Sequence, residues 1–149
     1  MTEPVRGSYR FRDDIAVADA AFEARGETLE DLFVAAADAT MNTMVEDLGK
    51  IRDRRRVPIR VDASAEDLLL FHLLQELIYY KDAERLLLRV PAVRIERTDR
   101  GLVLTAEAFG EELDPARHSL MADVKAVTLY RFRVAQIAGG WEATVVLDV

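Results

Sequence analysis

Between Ser64 and Arg85 the sequence carries more apolar surface than one helix face can hold. Leu69, Leu70, Leu73, Leu74, Leu77 and Ile78 fall at helical spacing behind the cap signal Ser64-Ala65-Glu66-Asp67, and Leu68, Phe71, Tyr79 and Tyr80 widen the stripe. A helix patterned this way is buried on more than one side, so the rest of the chain has to wrap around it. With 149 residues, 50% of them hydrophobic, the chain can supply one sizeable core. A single domain over residues 1–149 is expected, with Met1 to Ser8 as a disordered lead-in.

The remaining elements follow from periodicity. Tyr9-Arg10-Phe11-Arg12 and Ala18 to Arg25 read as short strands, the second ended by Gly26. Thr28-Leu29-Glu30-Asp31 caps a first helix, expected from Thr28 to Leu48 and closed by Gly49. Val57, Ile59, Val61 and Ala63 alternate with polar residues as a strand, and Pro58 places it at an edge or at the strand's start. After the second helix only strands are expected. Leu86 to Arg97 and Leu102 to Ala108 flank the turn signal Asp99-Arg100-Gly101, Phe109 to Ala122 reads as a polar loop, and Val124 to Ala135 pairs with the last stretch across Gly139-Gly140. That last stretch, Gly140 to Val149, alternates apolar and polar residues up to the final position. The fold class is α+β, with two helices packed on an antiparallel or mixed sheet.

Composition removes several function classes. The formal net charge of -7 argues against non-specific nucleic-acid binding, which depends on neutralising phosphates. Without cysteine there is no disulfide framework, thiolate metal site or cysteine nucleophile. No apolar run reaches transmembrane length and Met1 to Arg6 has no signal-peptide core, so a cytoplasmic location away from membranes is expected. No phosphate-binding glycine loop, metal-binding histidine pair or nucleophile motif is present.

Some residues carry possible chemistry. Asp19 lies in a small, apolar stretch, and an aspartate there either faces solvent or has a partner. Asp148 sits beside Val149, whose carboxyl oxygens would follow it directly. Two aspartates and a terminal carboxylate would form an all-oxygen site suited to Ca²⁺ or Mg²⁺, although spacing alone does not bring them together. Lys125 opens a strand pattern and reads as a solvated edge residue or as a contact for a phosphate or carboxylate. His118 reads as an exposed loop side chain and His72 as a helix-face residue. Arg52, Arg54, Arg55, Arg56 and Arg60 form the basic run, a charged edge strand or a docking patch for RNA or an acidic partner.

The sequence resembles the archease family along nearly its whole length. The resemblance is carried by Asp114-Pro115-Ala116-Arg117-His118, by Val124-Lys125-Ala126-Val127-Thr128, and by Gly140-Trp141 through Val145-Val146-Leu147-Asp148-Val149. Gly26-Glu27-Thr28-Leu29-Glu30 and the blocks Asp67-Leu68-Leu69 and Glu76-Leu77-Ile78 add to it, in the same order and at matching distances. It implies a strand-helix-strand-strand core with an inserted module. It also implies an accessory protein, itself not an enzyme, of the RtcB-type ligase of tRNA splicing, promoting ligase guanylylation and turnover. Asp19, Asp148 and Val149 inherit the role of holding a divalent cation, Ca²⁺ before Mg²⁺, and Lys125 matches the family's functional lysine. The family's His-Thr-Ala-Asp motif reads Ala16-Val17-Ala18-Asp19 here, so two polar neighbours of the ligand aspartate are replaced. Alternative readings are a metal-free interaction domain and a small metal-dependent phosphohydrolase using His118 as base.

Overall fold

The computed structural model describes residues 7–15 and 19–149. In chain order the elements are β1 (Gly7–Phe11), β2 (Ala20–Gly26), α1 (Leu29–Met44), β3 (Arg55–Ala63), α2 (Glu66–Glu84), β4 (Leu86–Arg89), β5 (Val93–Thr98), β6 (Gly101–Glu112), β7 (Ala126–Ile137) and β8 (Gly140–Asp148). The strands form two sheets, and every pairing is antiparallel. The first has the order β1-β2-β8-β7; the second has the order β3-β6-β4, with β5 also paired to β6. The expected α+β class with two helices on antiparallel strands is what forms. Everything between α1 and β7 builds the second sheet and α2, as an insert would.

Helix α2 is enclosed as its sequence requires. Leu69, Leu70, Leu73, Leu74, Leu77 and Ile78 are buried, and the helix touches β3, β4, β6, β7 and α1. Helix α1 packs on β1, β2 and β8 with an alanine-rich face, where Ala36 and Ala39 allow close approach. One contiguous core runs from Phe22 through both helices to Leu147. No described helix is long and apolar enough to cross a membrane.

Several expected boundaries move. Gly7 and Ser8 belong to β1 and not to the lead-in, whose other residues lie outside the described residues. Helix α1 ends at Met44, before Gly49, because Val45 leaves the helix to bridge Leu120 while its N–H still reaches Met41 O. The cap of α2 is Ala65, with no side-chain hydrogen bond, so the Ser64 signal is not used. The stretch 86–97 divides at Pro91 into β4 and β5, which share one edge of β6. Strand β6 continues to Glu112 through part of the expected loop, because β4 pairs with it there. Gly110 permits this, since a Cβ on it would lie 1.7 Å from Leu87 O.

Candidate functional site

The first sheet ends in an acidic edge. In the β2–β8 ladder Ala20 pairs with Leu147, so the next position sets Asp19 beside Asp148. In the β7–β8 ladder Ala126 pairs with Asp148, and the Lys125 N–H donates to Asp148 O at 2.8 Å. Val149 follows Asp148 at the end of this ladder. The fold thus gathers the sequence-predicted residues Asp19, Asp148, Val149 and Lys125 from three chain segments. Asp19 and Lys125 are exposed, while Asp148 and Val149 are half-buried. Lys125 immediately precedes β7, where a strand start was expected.

Alternation gives this edge its character. Leu147, Val145 and Ala143 face the core, so Asp148, Val146 and Thr144 occupy the other face of β8. There Val146 and Ala21 are buried, at 1% and 3% exposure, yet stand apart from the main core cluster. Opposite Val146 lies Thr128, whose buried Oγ1 has no hydrogen-bond partner among the described residues. Beyond Thr128 the register of β7 breaks until Arg133, leaving Leu129 and Tyr130 at 70% and 61% exposure.

The oxygens at this edge fit a hard cation. Asp19 and Asp148 offer carboxylates, Val149 offers backbone oxygen, and no soft ligand intervenes. Among the described residues no group of three His, Cys, Asp or Glu side chains converges, and this edge offers two carboxylates. Asp14 is engaged elsewhere: Arg12 binds both its oxygens at 2.7 and 2.5 Å, and this hydrogen bonding holds its carboxyl at about 2. Arg12 and Arg10 also engage Glu23 at 2.7 Å, which lowers the Glu23 pKa, Arg10 contributing most. Ala16 and Val17, at the positions of the family's histidine and threonine, lie outside the described residues.

Lys125 is approached through the segment 113–125, which has no regular structure but is fastened along its length. Met121 and Ala122 donate to Met44 O and Thr43 O at the end of α1, and Glu46 N–H donates to Ser119 O. His118 corrects an expectation: it is buried at 1% exposure, not a solvated loop side chain. Its Nδ1 accepts the Asp114 N–H at 2.9 Å, which leaves the ring hydrogen on Nε2, 3.1 Å from Glu111 Oε2. Glu111 also accepts the Arg52 N–H at 2.7 Å and pairs with Arg117. Burial alone would raise its pKa, but these hydrogen bonds hold it down at about 2. Sequence reading missed Glu111 because it fell in a stretch taken for loop.

Lys81 was missed as well, though its spacing from Leu77 and Ile78 puts it on the buried stripe of α2. It is 6% exposed, with Nζ 2.5 Å from Asp123 Oδ1, 2.7 Å from Val124 O and 2.6 Å from Asp82 Oδ1. Desolvation opposes its charge, yet the hydrogen bonds to Asp123 and Asp82 outweigh it and the pKa rises.

The basic run stays apart from the acidic edge. Arg55 and Arg56 open β3, Arg60 lies within it, and among the described residues β3 touches none of β2, β7 and β8. Its exposed charges are largely paired, Arg55 with Glu84, Arg56 with Asp53 and Glu107, and Arg60 with Asp62. Arg52 and Arg54 use their backbone N–H groups, toward Glu111 and Gly110 O.

The Archease protein family (MTH1598/TM1083) model matches residues 9–149, which takes in both sheets and every residue of the acidic edge. The chain belongs to the archease family. Protein archease of Pyrococcus abyssi is 33% identical over 133 residues, 89% of this chain and 93% of the relative. Protein archease of Methanothermobacter thermautotrophicus is 36% identical over 133 residues, again 89% and 93% of the two chains. The solution structure of Methanobacterium thermoautotrophicum protein 1598 superposes with a TM-score of 0.82 at 31% identity, covering 95% of this chain and 98% of that one. An archease from Thermotoga maritima, described as a possible chaperone, shares the fold at a TM-score of 0.53 and 17% identity, covering 100% and 98%.

Proposed function

We propose that this archease-family chain is an accessory protein of an RtcB-type, GTP-dependent RNA ligase, acting in the cytoplasm in tRNA splicing or RNA repair. It promotes ligase guanylylation and multiple turnover and does not form the phosphodiester bond. The observation that carries this reading is the convergence of Asp19, Asp148, Val149 and Lys125, tied by the Lys125 N–H to Asp148 O bond of 2.8 Å.

Asp19, Asp148 and a backbone oxygen of Val149 would hold the divalent cation, Ca²⁺ or Mg²⁺. Once bound, it would supply a fixed positive charge at the same sheet edge as Lys125, a combination that suits a phosphate oxygen. Asp148 anchors the Lys125 backbone and leaves the side chain free in solvent. Exposed Leu129 and Tyr130 lie a few residues beyond Lys125 and offer apolar contact to the ligase. RNA is met only through the ligase, in keeping with a net charge of -7.

The phosphohydrolase reading loses its candidate base, because both His118 nitrogens are engaged inside the Glu111 cluster. The deciding experiment is multiple-turnover ligation with Asp19→Ala, Asp148→Ala and Lys125→Ala. Each variant is expected to fold and to lose stimulation; undiminished stimulation by all three overturns the reading. No change in melting temperature with Ca²⁺ or Mg²⁺ would instead leave a metal-free interaction domain.

A further inference from the structure

We propose that Lys81 is a positioning residue that holds the segment carrying Lys125 against the acidic edge, so that helix α2 of the inserted module sets the geometry of the site. The proposal rests on the functional reading of Lys125 given above. An ammonium has three N–H donors and no acceptor, and the acceptors around Lys81 match that number: Asp123 Oδ1 at 2.5 Å, Val124 O at 2.7 Å and Asp82 Oδ1 at 2.6 Å. Two of the three belong to the residues just before Lys125. On the other side, Gln75 Oε1, from the same helix, accepts the Val127 N–H at 2.9 Å. Helix α2 therefore grips the chain one residue before and two residues after Lys125, and the Lys125 N–H meets Asp148 O between these holds.

A structural role alone does not account for this lysine. A lysine at 6% exposure costs desolvation, and leucine or methionine there would extend the apolar stripe of α2 without that cost. What an apolar side chain cannot do is bind the Val124 carbonyl, one residue before the end of the irregular segment 113–125. Without that bond the residue before Lys125 loses its hydrogen bond to α2, at the place where the β7–β8 ladder stops.

The test is amide hydrogen exchange on the full chain, comparing wild type with Lys81→Met, which keeps length and apolar bulk. The Lys125 amide should exchange at least about tenfold faster in the variant, the scale of a lost charge-assisted hydrogen bond, while the Val145 and Leu147 amides keep their protection. Unchanged Lys125 exchange, or an equal rise at all three amides, overturns the proposal, since the second would be general destabilisation. If Lys81→Met does not fold, Asp123→Ala removes a solvent-side partner without touching the core and should move the Lys125 amide in the same direction; no movement overturns the proposal. In ligase stimulation, Lys81→Met combined with Lys125→Ala should lose no more than Lys125→Ala alone, and additive losses would break the coupling. If Lys125→Ala leaves stimulation intact, the functional reading fails while the exchange result still decides what Lys81 positions.

Discussion

Replacing Glu111 with alanine should destabilise the protein far more than removal of a typical surface carboxylate. Its side chain, 10% exposed, collects the Arg52 N–H at 2.7 Å, the His118 Nε2 at 3.1 Å and the Arg117 guanidinium. Truncation leaves the Arg52 and His118 donors without acceptors in a closed cluster, at about 1–3 kcal/mol each. Arg117, at 28% exposure, can turn toward water and adds little. The expected loss is about 3 kcal/mol, or roughly 6–12 °C in melting temperature for a domain of this size. Calorimetry of wild type and Glu111→Ala at pH 7 measures it, and a loss below about 1 kcal/mol would refute the assignment of these hydrogen bonds. The pH dependence gives a second check. Glu111 is held at about 2 against an ordinary 4.5, so its stabilisation is complete above the unfolded value and disappears as pH falls through the folded one. The advantage of wild type over Glu111→Gln should therefore shrink between pH 4.5 and 2. An advantage constant across that window would show that the carboxylate charge is not what the cluster uses.

Three further outcomes are expected. Arg85→Gly should raise the melting temperature by roughly 2–4 °C, because Arg85 caps α2 at φ 53 and glycine relieves about 1 kcal/mol of left-handed strain. Gly110→Ala should cost about 3 kcal/mol in urea unfolding, since its Cβ would meet Leu87 O at 1.7 Å and push β4 from β6. Ca²⁺ at about 100 times its dissociation constant should raise the wild-type midpoint by the equivalent of about 2.7 kcal/mol, and Asp148→Ala should abolish that rise.

The elements readable in the sequence were those whose pattern is local. The stripe of α2 was legible because six buried residues repeat at helical spacing, and β8 because alternation persists to Asp148. Failures came where tertiary pairing overrides a local signal. Val45 leaves α1 for a bridge to Leu120 ahead of Gly49, and β6 runs past Ala108 because β4 lies beside it. His118 looked like a solvated loop residue because its partner, Glu111, belongs to a strand extension that pairing alone reveals. At the acidic edge, spacing offered Asp19, Lys125 and Asp148 as separate candidates. Asp19 reaches Asp148 through the β2–β8 register, which joins residues more than a hundred positions apart and which no local pattern encodes, whereas Lys125 reaches it through the β7–β8 hairpin that the Gly139-Gly140 turn signalled.

The same registers explain why this edge depends on support from outside its own sheet. The β2–β8 and β7–β8 ladders both stop at the residues that matter, so Asp19, Lys125 and Val149 lie one step beyond the last pairs, where a sheet frays. Three other elements supply the missing constraint: α2 through Lys81 and Gln75, β6 through Glu111 and its hold on Arg117 and His118, and the end of α1 through the Thr43 and Met44 carbonyls. Two of the three belong to the segment inserted between α1 and β7. The insert is therefore mechanically coupled to the acidic edge, although none of Asp19, Asp148 and Val149 belongs to it. Substitutions at Lys81 or Glu111 should loosen Lys125 while leaving Asp19 and Asp148 chemically intact.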